Sequence, residues 1–317
     1  MLTLPDFKEK KILLVNVEYG HHSLLQLVTD NIRFLRDGEV VNQISTHIVF
    51  AIFIVGDITI TSSLLKKLTA QGISVFFLNH NLATKATVMA EAEGNFLLRQ
   101  KQYAEENTLT VAQMIVKNKI TNQVATLKKA KMEYPEKVFS YNIALSETAD
   151  THQELLGAEG NASKSYFQTL FADIEWVRRA PQTKEDVNNL LLDIGYTYLF
   201  NYCDALLRLF GFDVYKGVYH QLFFQRKSLV CDIMEPIRPI IDYQLLKSHR
   251  LKQIHKKDFV FIKGRYEFKE GFTTHKTYSS LFLDAINENK EQIYNYILGY
   301  YRYTMNHVKY PFPQFTI

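Results

Sequence analysis

HIVFAIFIVGDITITSSLLKKLTAQGISVFFL, residues His47 to Leu78, is the segment from which the fold of this chain is best inferred. From Ile48 to Val55 the segment is an uninterrupted apolar run rich in Val, Ile and Phe, which is typical of a strand. Thr61 or Ser62 can then cap a helix, because leucines recur at helical spacing and lysines occupy the opposite face. Gly72 ends this helix, and the apolar run from Ile73 to Leu78 predicts a buried strand.

The rest of the chain divides into two parts of different character. Short runs rich in Val, Ile and Phe predict early strands at Lys11–Val17, Asn31–Phe34, Val40–Ile44 and His47–Val55. Asp37-Gly38 is a strong hairpin signal between two of them. Helical spacing dominates later, at Phe96–Lys131, Leu155–Phe171, Asp186–Phe210, Leu229–His249 and Ser280–Met305, with one small hairpin at Asp258–Lys269. The sequence therefore predicts an α+β protein with a β-rich domain over residues 1–92 and a larger α-helical domain over residues 93–317.

Composition excludes several classes of protein. The chain has 317 residues, 47% hydrophobic and 13% aromatic, so it can bury a sizeable core and is not intrinsically disordered. Its net charge of +4 permits a nucleic-acid partner without arguing for one. Cys203 and Cys231 form no CxxC pair, which disfavours a disulfide framework or a zinc cluster. The N-terminus lacks the apolar region of a signal peptide, and we expect a soluble, cytoplasmic protein without membrane contact.

The chemistry is concentrated between Gly217 and Asp242, in the sequence GVYHQLFFQRKSLVCDIMEPIRPIID. Asp232 and Glu235 are spaced to share one side of a helix, and two such carboxylates repel unless a cation lies between them. Oxygen ligands suit Mg²⁺ or Mn²⁺, and His220 fits Mn²⁺ better. A solvated helix face, with a histidine that only packs, is the alternative interpretation. The apolar surroundings favour a paired or metal-bound carboxylate.

A second stretch, from Gly157 to Phe171, places Glu159 among small residues that allow close approach of another segment. The alternative interpretation is a helix start, with the Glu159 carboxylate favourably placed on the helix dipole.

These stretches together resemble the CRISPR-associated integrase of spacer acquisition, the "Cas-one" family. The resemblance rests on four motifs that follow one another in the family's order. The first is Glu159-Gly160 with Tyr166-Phe167, and the second is Asp186-Val187-Asn188 with Gly195-Tyr196. The third is Gly217 to His220, and the fourth combines Ser228-Leu229, Asp232, Glu235 and Arg238-Pro239. Gly56 to Asn79 is similar to the strand–helix–strand unit that joins the family's two domains. The opening MLTLPDFKEK is similar to members from single-effector, class two CRISPR systems.

The resemblance implies an N-terminal β-sandwich-like domain followed by a larger α-helical catalytic domain. It implies Mg²⁺ or Mn²⁺ held by Glu159, His220 and Glu235, with Asp232 as an additional ligand or as a support behind them. Glu235 departs from the aspartate usual at its position. The implied reaction is attack of a DNA 3′-hydroxyl on a phosphodiester of a CRISPR repeat, together with the corresponding hydrolysis.

The resemblance also implies partners, namely double-stranded DNA (protospacer and CRISPR repeat), a second copy of the chain bound through the N-terminal domain, and a small "Cas-two" companion in a heterohexameric complex. Basic residues near the site are candidates to position phosphates rather than to read sequence; they are Arg226, Lys227, Arg238, Lys252, Lys256 and Lys257. Each is otherwise a solvated surface residue. Two further functions remain open: a non-catalytic DNA-binding scaffold, and a metal-dependent phosphodiesterase acting on other nucleic acids.

Overall fold

The N-terminal part contains two four-stranded sheets. The computed structural model describes residues 3–79, 82–92, 94–220, 223–269 and 271–317, and of residues 271–273 only the backbone. A short helix, α1 (Leu4–Lys8), precedes the strands, which are β1 (Lys11–Asn16), β2 (Ser23–Val28), β3 (Asn31–Arg36), β4 (Glu39–Ser45), β5 (Val49–Val55), β6 (Thr59–Ile60), β7 (Ser74–Leu78) and β8 (Thr84–Val88). Helix α2 (Ser62–Ala70) lies between β6 and β7. The first sheet has the order β1-β5-β7-β8, and the second has the order β4-β3-β2-β6.

Strand β5 is buried along its whole length because both of its faces are covered. Ile52 and Ile54 belong to the core between the two sheets, which also receives leucines of α2. On the opposite face, Phe53 packs against Tyr198 of the helical part, with ring centroids 5.1 Å apart. This double coverage explains the uninterrupted apolar run, since a parallel strand between two layers has no solvent-facing side. The predicted β-sandwich-like domain is confirmed.

The predicted hairpin and helix of this part are also confirmed. Asp37 and Gly38 join β3 to β4 with φ values of 51° and 87°, the left-handed conformation that a two-residue hairpin turn requires. Thr61 caps α2, because its hydroxyl accepts a hydrogen bond from the backbone N–H of Leu64 at 3.4 Å.

Helices make up most of the remaining chain. They are α3 (Phe96–Tyr103), α4 (Thr108–Lys129), α5 (Glu136–Thr148), α6 (His152–Leu170), α7 (Val187–Phe210), α8 (Ser228–Met234), α9 (Pro239–Arg250), α10 (Gly271–Glu288) and α11 (Lys290–Met305). The predicted small hairpin is formed by β9 (Phe259–Ile262) and β10 (Arg265–Phe268). The larger α-helical domain is therefore confirmed as well.

Several predicted boundaries were wrong. The helix expected at Leu229–His249 is interrupted between α8 and α9, because Pro236 and Pro239 cannot donate backbone hydrogen bonds to a continuing helix. The expected helices at Phe96–Lys131 and Ser280–Met305 likewise each contain a break. Strands β2, β6 and β8 and helices α1 and α5 were not predicted. The break between α8 and α9 matters for the site, because Glu235 lies in it.

The two parts share one continuous core. Phe7 of α1 stacks on Tyr294 of α11 with ring centroids 4.7 Å apart, and Phe50 of β5 contacts Tyr202 of α7 at 5.0 Å. The domain boundary at residue 92 stays a prediction. In the described part of the chain, none of the helices combines the length and apolar character needed to cross a membrane.

Candidate active site

Two carboxylates from distant parts of the chain meet at one buried ammonium group. Glu159 lies in α6, and Glu235 directly follows the last residue of α8. Lys119 of α4 pairs with both, since its Nζ contacts Glu159 Oε1 and lies 2.6 Å from Glu235 Oε2. Lys119 is only 9% exposed and Glu235 only 4%. Burying three charged groups is tolerated here because each faces an opposite charge.

Arg238 completes this charge cluster. Its Nε lies 3.0 Å from Glu235 Oε1, and its guanidinium lies over the ring of Tyr196 at 4.7 Å. Burial would raise the pKa of Glu235, but the positive charges of Arg238 and Lys119 outweigh burial and lower that pKa to about 2. Burial likewise opposes the charged form of Lys119, whereas the two glutamates raise its pKa above the usual value. Glu235 and Lys119 therefore stay ionised at neutral pH.

Asp232 fixes the loop that carries His220. Its buried carboxylate accepts hydrogen bonds from the backbone N–H groups of Val218, Tyr219 and His220 at 2.6, 3.0 and 2.8 Å. Oδ1 also lies 2.7 Å from His220 Nδ1, which leaves Nε2 as the nitrogen able to bind a cation. A Cβ added at Gly217 would lie 2.6 Å from Asp232 Oδ2, so this loop has no room for a side chain there.

Helix α4 presents a buried polar face to the site, and the sequence analysis missed it. The buried polar residues are Asn118, Lys119, Asn122, Gln123 and Thr126. Asn122 Nδ2 donates to the carbonyl oxygen of Pro236, next to Glu235, at 2.8 Å. Gln123 Nε2 donates to Ser163 Oγ at 3.1 Å, and that hydroxyl donates to Glu159 Oε1 at 2.9 Å. The helical spacing of these polar residues was a signal, although such spacing usually indicates a solvent-exposed face.

The C-terminal aromatic segment also supports α4. The backbone N–H of Phe315 donates to Asn118 Oδ1 at 2.8 Å, and its carbonyl oxygen accepts from Asn118 and Asn122 at 2.8 and 2.9 Å. Phe315 is 2% exposed. The tail therefore packs against the helix that carries Lys119.

Two tyrosines converge on Asp242 beside this cluster. Tyr166 donates to Oδ2 at 3.1 Å, and Tyr196 donates to Oδ1. Burial raises the pKa of Asp242 to about 6, although the hydrogen bonds from the tyrosines lower it. Two of the motifs that carry the family resemblance, Tyr166-Phe167 and Gly195-Tyr196, thus contribute tyrosines to the same buried carboxyl group.

An open cleft of about 480 Å³ adjoins the two glutamates. Lys119 and Glu159 line its inner wall, and Trp176, Arg178 and Arg179 line its outer part. Arg179 Nη2 lies 2.6 Å from Asp193, and Arg178 Nη2 lies 3.1 Å from Glu185, although the side chain of Arg178 is 70% exposed. The cleft therefore joins the buried carboxylates to two ion-paired arginines, of which Arg178 is exposed to solvent.

The residues predicted as metal ligands occupy one region, but they are not gathered as a complete coordination shell. Across the described residues, no three His, Cys, Asp or Glu side chains are grouped as a metal site requires. The donor chemistry nevertheless fits a hard divalent cation, because Glu159 and Glu235 already converge on one positive charge. Glu235 Oε2 is buried and lies 2.6 Å from Lys119 Nζ, so the ammonium compensates its charge.

The predicted DNA-binding residues nearest the site differ in setting. Arg238 lies within the charge cluster. Lys227 Nζ lies 2.5 Å from the buried carboxylate of Asp204, so its charge is engaged inside the protein. Arg226 lies over the ring of Phe223 at 5.9 Å, and that phenylalanine is 72% exposed.

The remaining three predicted residues lie beyond α9. Lys252 and Lys257 are exposed, and Lys256 forms a solvent-exposed ion pair of 2.6 Å with Glu175. Exposed pairs of this kind contribute little to stability. DNA contact by any of the six basic residues stays a prediction.

A helical domain with clustered carboxylates beside an arginine-lined cleft agrees with a phosphodiester-processing protein, and comparisons identify the family. Residues 19–283 match the family model described as CRISPR associated protein Cas1. A CRISPR-associated endonuclease Cas1 of Thermodesulfovibrio yellowstonii is 32% identical over 226 residues, covering 66% of this chain and 71% of that relative. The chain belongs to the Cas1 family, as the sequence motifs predicted.

Solved structures show the same fold. A Cas1 protein from Thermotoga maritima superimposes with a TM-score of 0.81 at 20% identity, covering 94% of this chain and 97% of that one. A casposase bound to integration product gives a TM-score of 0.83 at 18% identity, covering 96% and 93%. A Cas6-RT-Cas1–Cas2 complex gives a TM-score of 0.74 at 22% identity, covering 98% of this chain and 36% of that one.

Proposed function

We propose that this chain is the endonuclease and integrase that inserts DNA fragments into a CRISPR array. The observation that carries the proposal is the convergence of Glu159 and Glu235 on one cation beside an open cleft, in a chain of the Cas1 family. Related Cas1 proteins are named endonucleases, and a casposase of the same fold was solved with an integration product.

The reaction is a transesterification at phosphorus. A DNA 3′-hydroxyl attacks a phosphodiester of the repeat, a new P–O bond forms, and the bond to the displaced 3′-oxygen breaks. The proton lost by the attacking hydroxyl is balanced by protonation of the leaving oxygen. Hydrolysis is the same step with water as the nucleophile, so one site accounts for both joining and cleavage.

Glu159, Glu235 and His220 Nε2 would hold the divalent metal, Mg²⁺ or Mn²⁺. When bound, such a metal polarises a phosphate and favours the ionised form of the attacking oxygen. Asp232 orients His220 through Nδ1 and the surrounding backbone. Arg226, Lys227, Arg238, Lys252, Lys256 and Lys257 would position the DNA backbone.

The partners form part of the same proposal. Cas1–Cas2 and Cas1–DNA complexes are known for chains of this fold. The chain would act in the cytoplasm as a homodimer, joined through its β-sandwich-like domain, that flanks a small Cas2 companion in a heterohexamer and binds protospacer and repeat DNA.

A 3′-end substitution tests the proposed chemistry. Labelled duplexes ending in a 3′-hydroxyl or a 3′-deoxy group are incubated with the protein, a supercoiled plasmid carrying the repeat array, and Mn²⁺ or Mg²⁺. We expect joining with the hydroxyl only, abolished by EDTA. DNA binding without joining or cleavage in either metal would support a scaffold instead, and cleavage without joining would support a phosphodiesterase.

A further inference from the structure

Lys119 is placed where a cation of the site is expected. Its ammonium contacts Glu159 Oε1 and lies 2.6 Å from Glu235 Oε2. Its side chain is only 11% exposed, so the ammonium has exchanged most of its hydration for these two carboxylates. Arg238 approaches Glu235 through the other oxygen, Oε1, at 3.0 Å. The oxygens that face the gap between the two glutamates are therefore those that Lys119 occupies.

An ammonium and a divalent metal cannot share these oxygens at close range. Mg²⁺ binds carboxylate oxygen at about 2.0–2.1 Å, closer than the lysine contact, and the two positive charges repel strongly in a site shielded from water. Lys119 also lines the open cleft, which gives its long side chain a space to enter. The geometry thus provides both a reason for displacement and room for it.

We propose that Lys119 is the resident cation of this site, which neutralises Glu159 and Glu235 until a divalent metal displaces its ammonium toward the cleft. The proposal rests on the proposed metal-dependent function. It explains how two buried carboxylates are tolerated in the metal-free protein, since a charge supplied by α4 compensates them. It also makes metal binding a competition, so the protein's affinity for metal is lower than the two carboxylates alone would give.

Removing the lysine charge therefore has two opposite effects. Lys119→Met keeps the length and apolar stem of the side chain, and Lys119→Gln keeps a polar end without charge. Either change removes the competitor and strengthens metal binding. Either change also leaves the glutamates less compensated in the absence of metal, so the metal-free protein unfolds more easily.

The experiment measures Mn²⁺ binding by calorimetry and by the electron paramagnetic resonance signal of free Mn²⁺, on the full chain at pH 8 without DNA. Thermal unfolding is followed in EDTA and in Mn²⁺. Lys117→Met is the matched control, because Lys117 lies on the same helix but pairs with Glu147 at the surface. Glu159→Gln reports whether Mn²⁺ binds at this site.

We expect Lys119→Met and Lys119→Gln to bind Mn²⁺ at least tenfold more tightly than the wild type, to melt at lower temperature in EDTA, and to gain more stability from Mn²⁺. Lys117→Met should match the wild type. Unchanged or weaker Mn²⁺ affinity in a folded Lys119 variant, with binding still lost in Glu159→Gln, would overturn the resident-cation proposal alone. Absence of Mn²⁺ binding in every variant, or binding unaffected by Glu159→Gln, would overturn the proposed metal site and this proposal with it.

Discussion

Asp242 makes the stability of this protein depend on pH in a direction opposite to that of most carboxylates. Its ordinary pKa of 3.8 is raised to about 6, chiefly by burial. Each pKa unit corresponds to about 1.4 kcal/mol, so ionising Asp242 costs the folded state about 3 kcal/mol. Because the folded protein holds this proton more tightly than the unfolded chain, the free energy of unfolding falls as pH rises from about 4 to about 6.

Asp242→Asn removes this dependence, because an amide does not ionise and still offers an acceptor to one of the two tyrosines. We expect the stability of the variant relative to the wild type to increase by about 2.4 kcal/mol between pH 4 and pH 7.5. Urea unfolding across this range, followed by circular dichroism, measures the difference. Asp213→Asn is the surface control, since Asp213 also accepts a hydrogen bond from a tyrosine, Tyr103. A relative stability that stays constant with pH would refute the reasoning.

Three further predictions concern the supports of the site. Gly217→Ala places a Cβ 2.6 Å from Asp232 Oδ2 and should lower the free energy of unfolding by about 1–3 kcal/mol. Gly157→Ala is the control and should not lower it, because a Cβ there meets nothing within 4 Å. Equal urea midpoints for the two variants would contradict this prediction. Asn122→Ala removes the amide that donates to the buried carbonyl oxygens of Pro236 and Phe315, and should lower the free energy of unfolding in urea by about 1–3 kcal/mol. Thr121→Ala, at an exposed position of the same helix, should change it little. An unchanged stability of Asn122→Ala would show that the tail and Pro236 do not depend on this side chain. Burial raises the pKa of Cys231 to about 11. Iodoacetamide should therefore label Cys231 about a hundredfold more slowly than it labels glutathione at pH 8. Rapid labelling of Cys231 in the folded protein would contradict the buried setting of this thiol.

The sequence predicted the parts of the fold that depend on local pattern. The apolar run in β5 and the Asp37-Gly38 turn have direct conformational causes, and both appear as expected. The break after α8 was missed, although Pro236 signalled it, because the apolar spacing continues through the proline. Glu235 therefore lies beyond the end of a helix rather than on a helix face beside Asp232.

The site was predictable only in part, because its decisive contacts join residues far apart in the chain. The motifs identified Glu159, His220, Asp232 and Glu235, and the structure places them in one region. Lys119 carried no such signal, since a lysine in an amphipathic helix is ordinarily exposed, and only the packing of α4 against α6 brings it to Glu159. The hydrogen bonds that commit Asp232 to the His220 loop likewise follow from the tertiary arrangement.

The most direct test of the central claim is a strand-transfer assay on variants of the charge cluster. A labelled duplex with a 3′-hydroxyl is joined to a supercoiled plasmid carrying the repeat array, in Mn²⁺ and with the Cas2 companion present. We expect Glu159→Gln, Glu235→Gln and His220→Ala to reduce joining by at least a hundredfold while retaining wild-type circular dichroism, and Glu147→Gln at the surface to retain full activity. Joining at the wild-type rate in a folded Glu159→Gln or Glu235→Gln variant would contradict the assignment of this site.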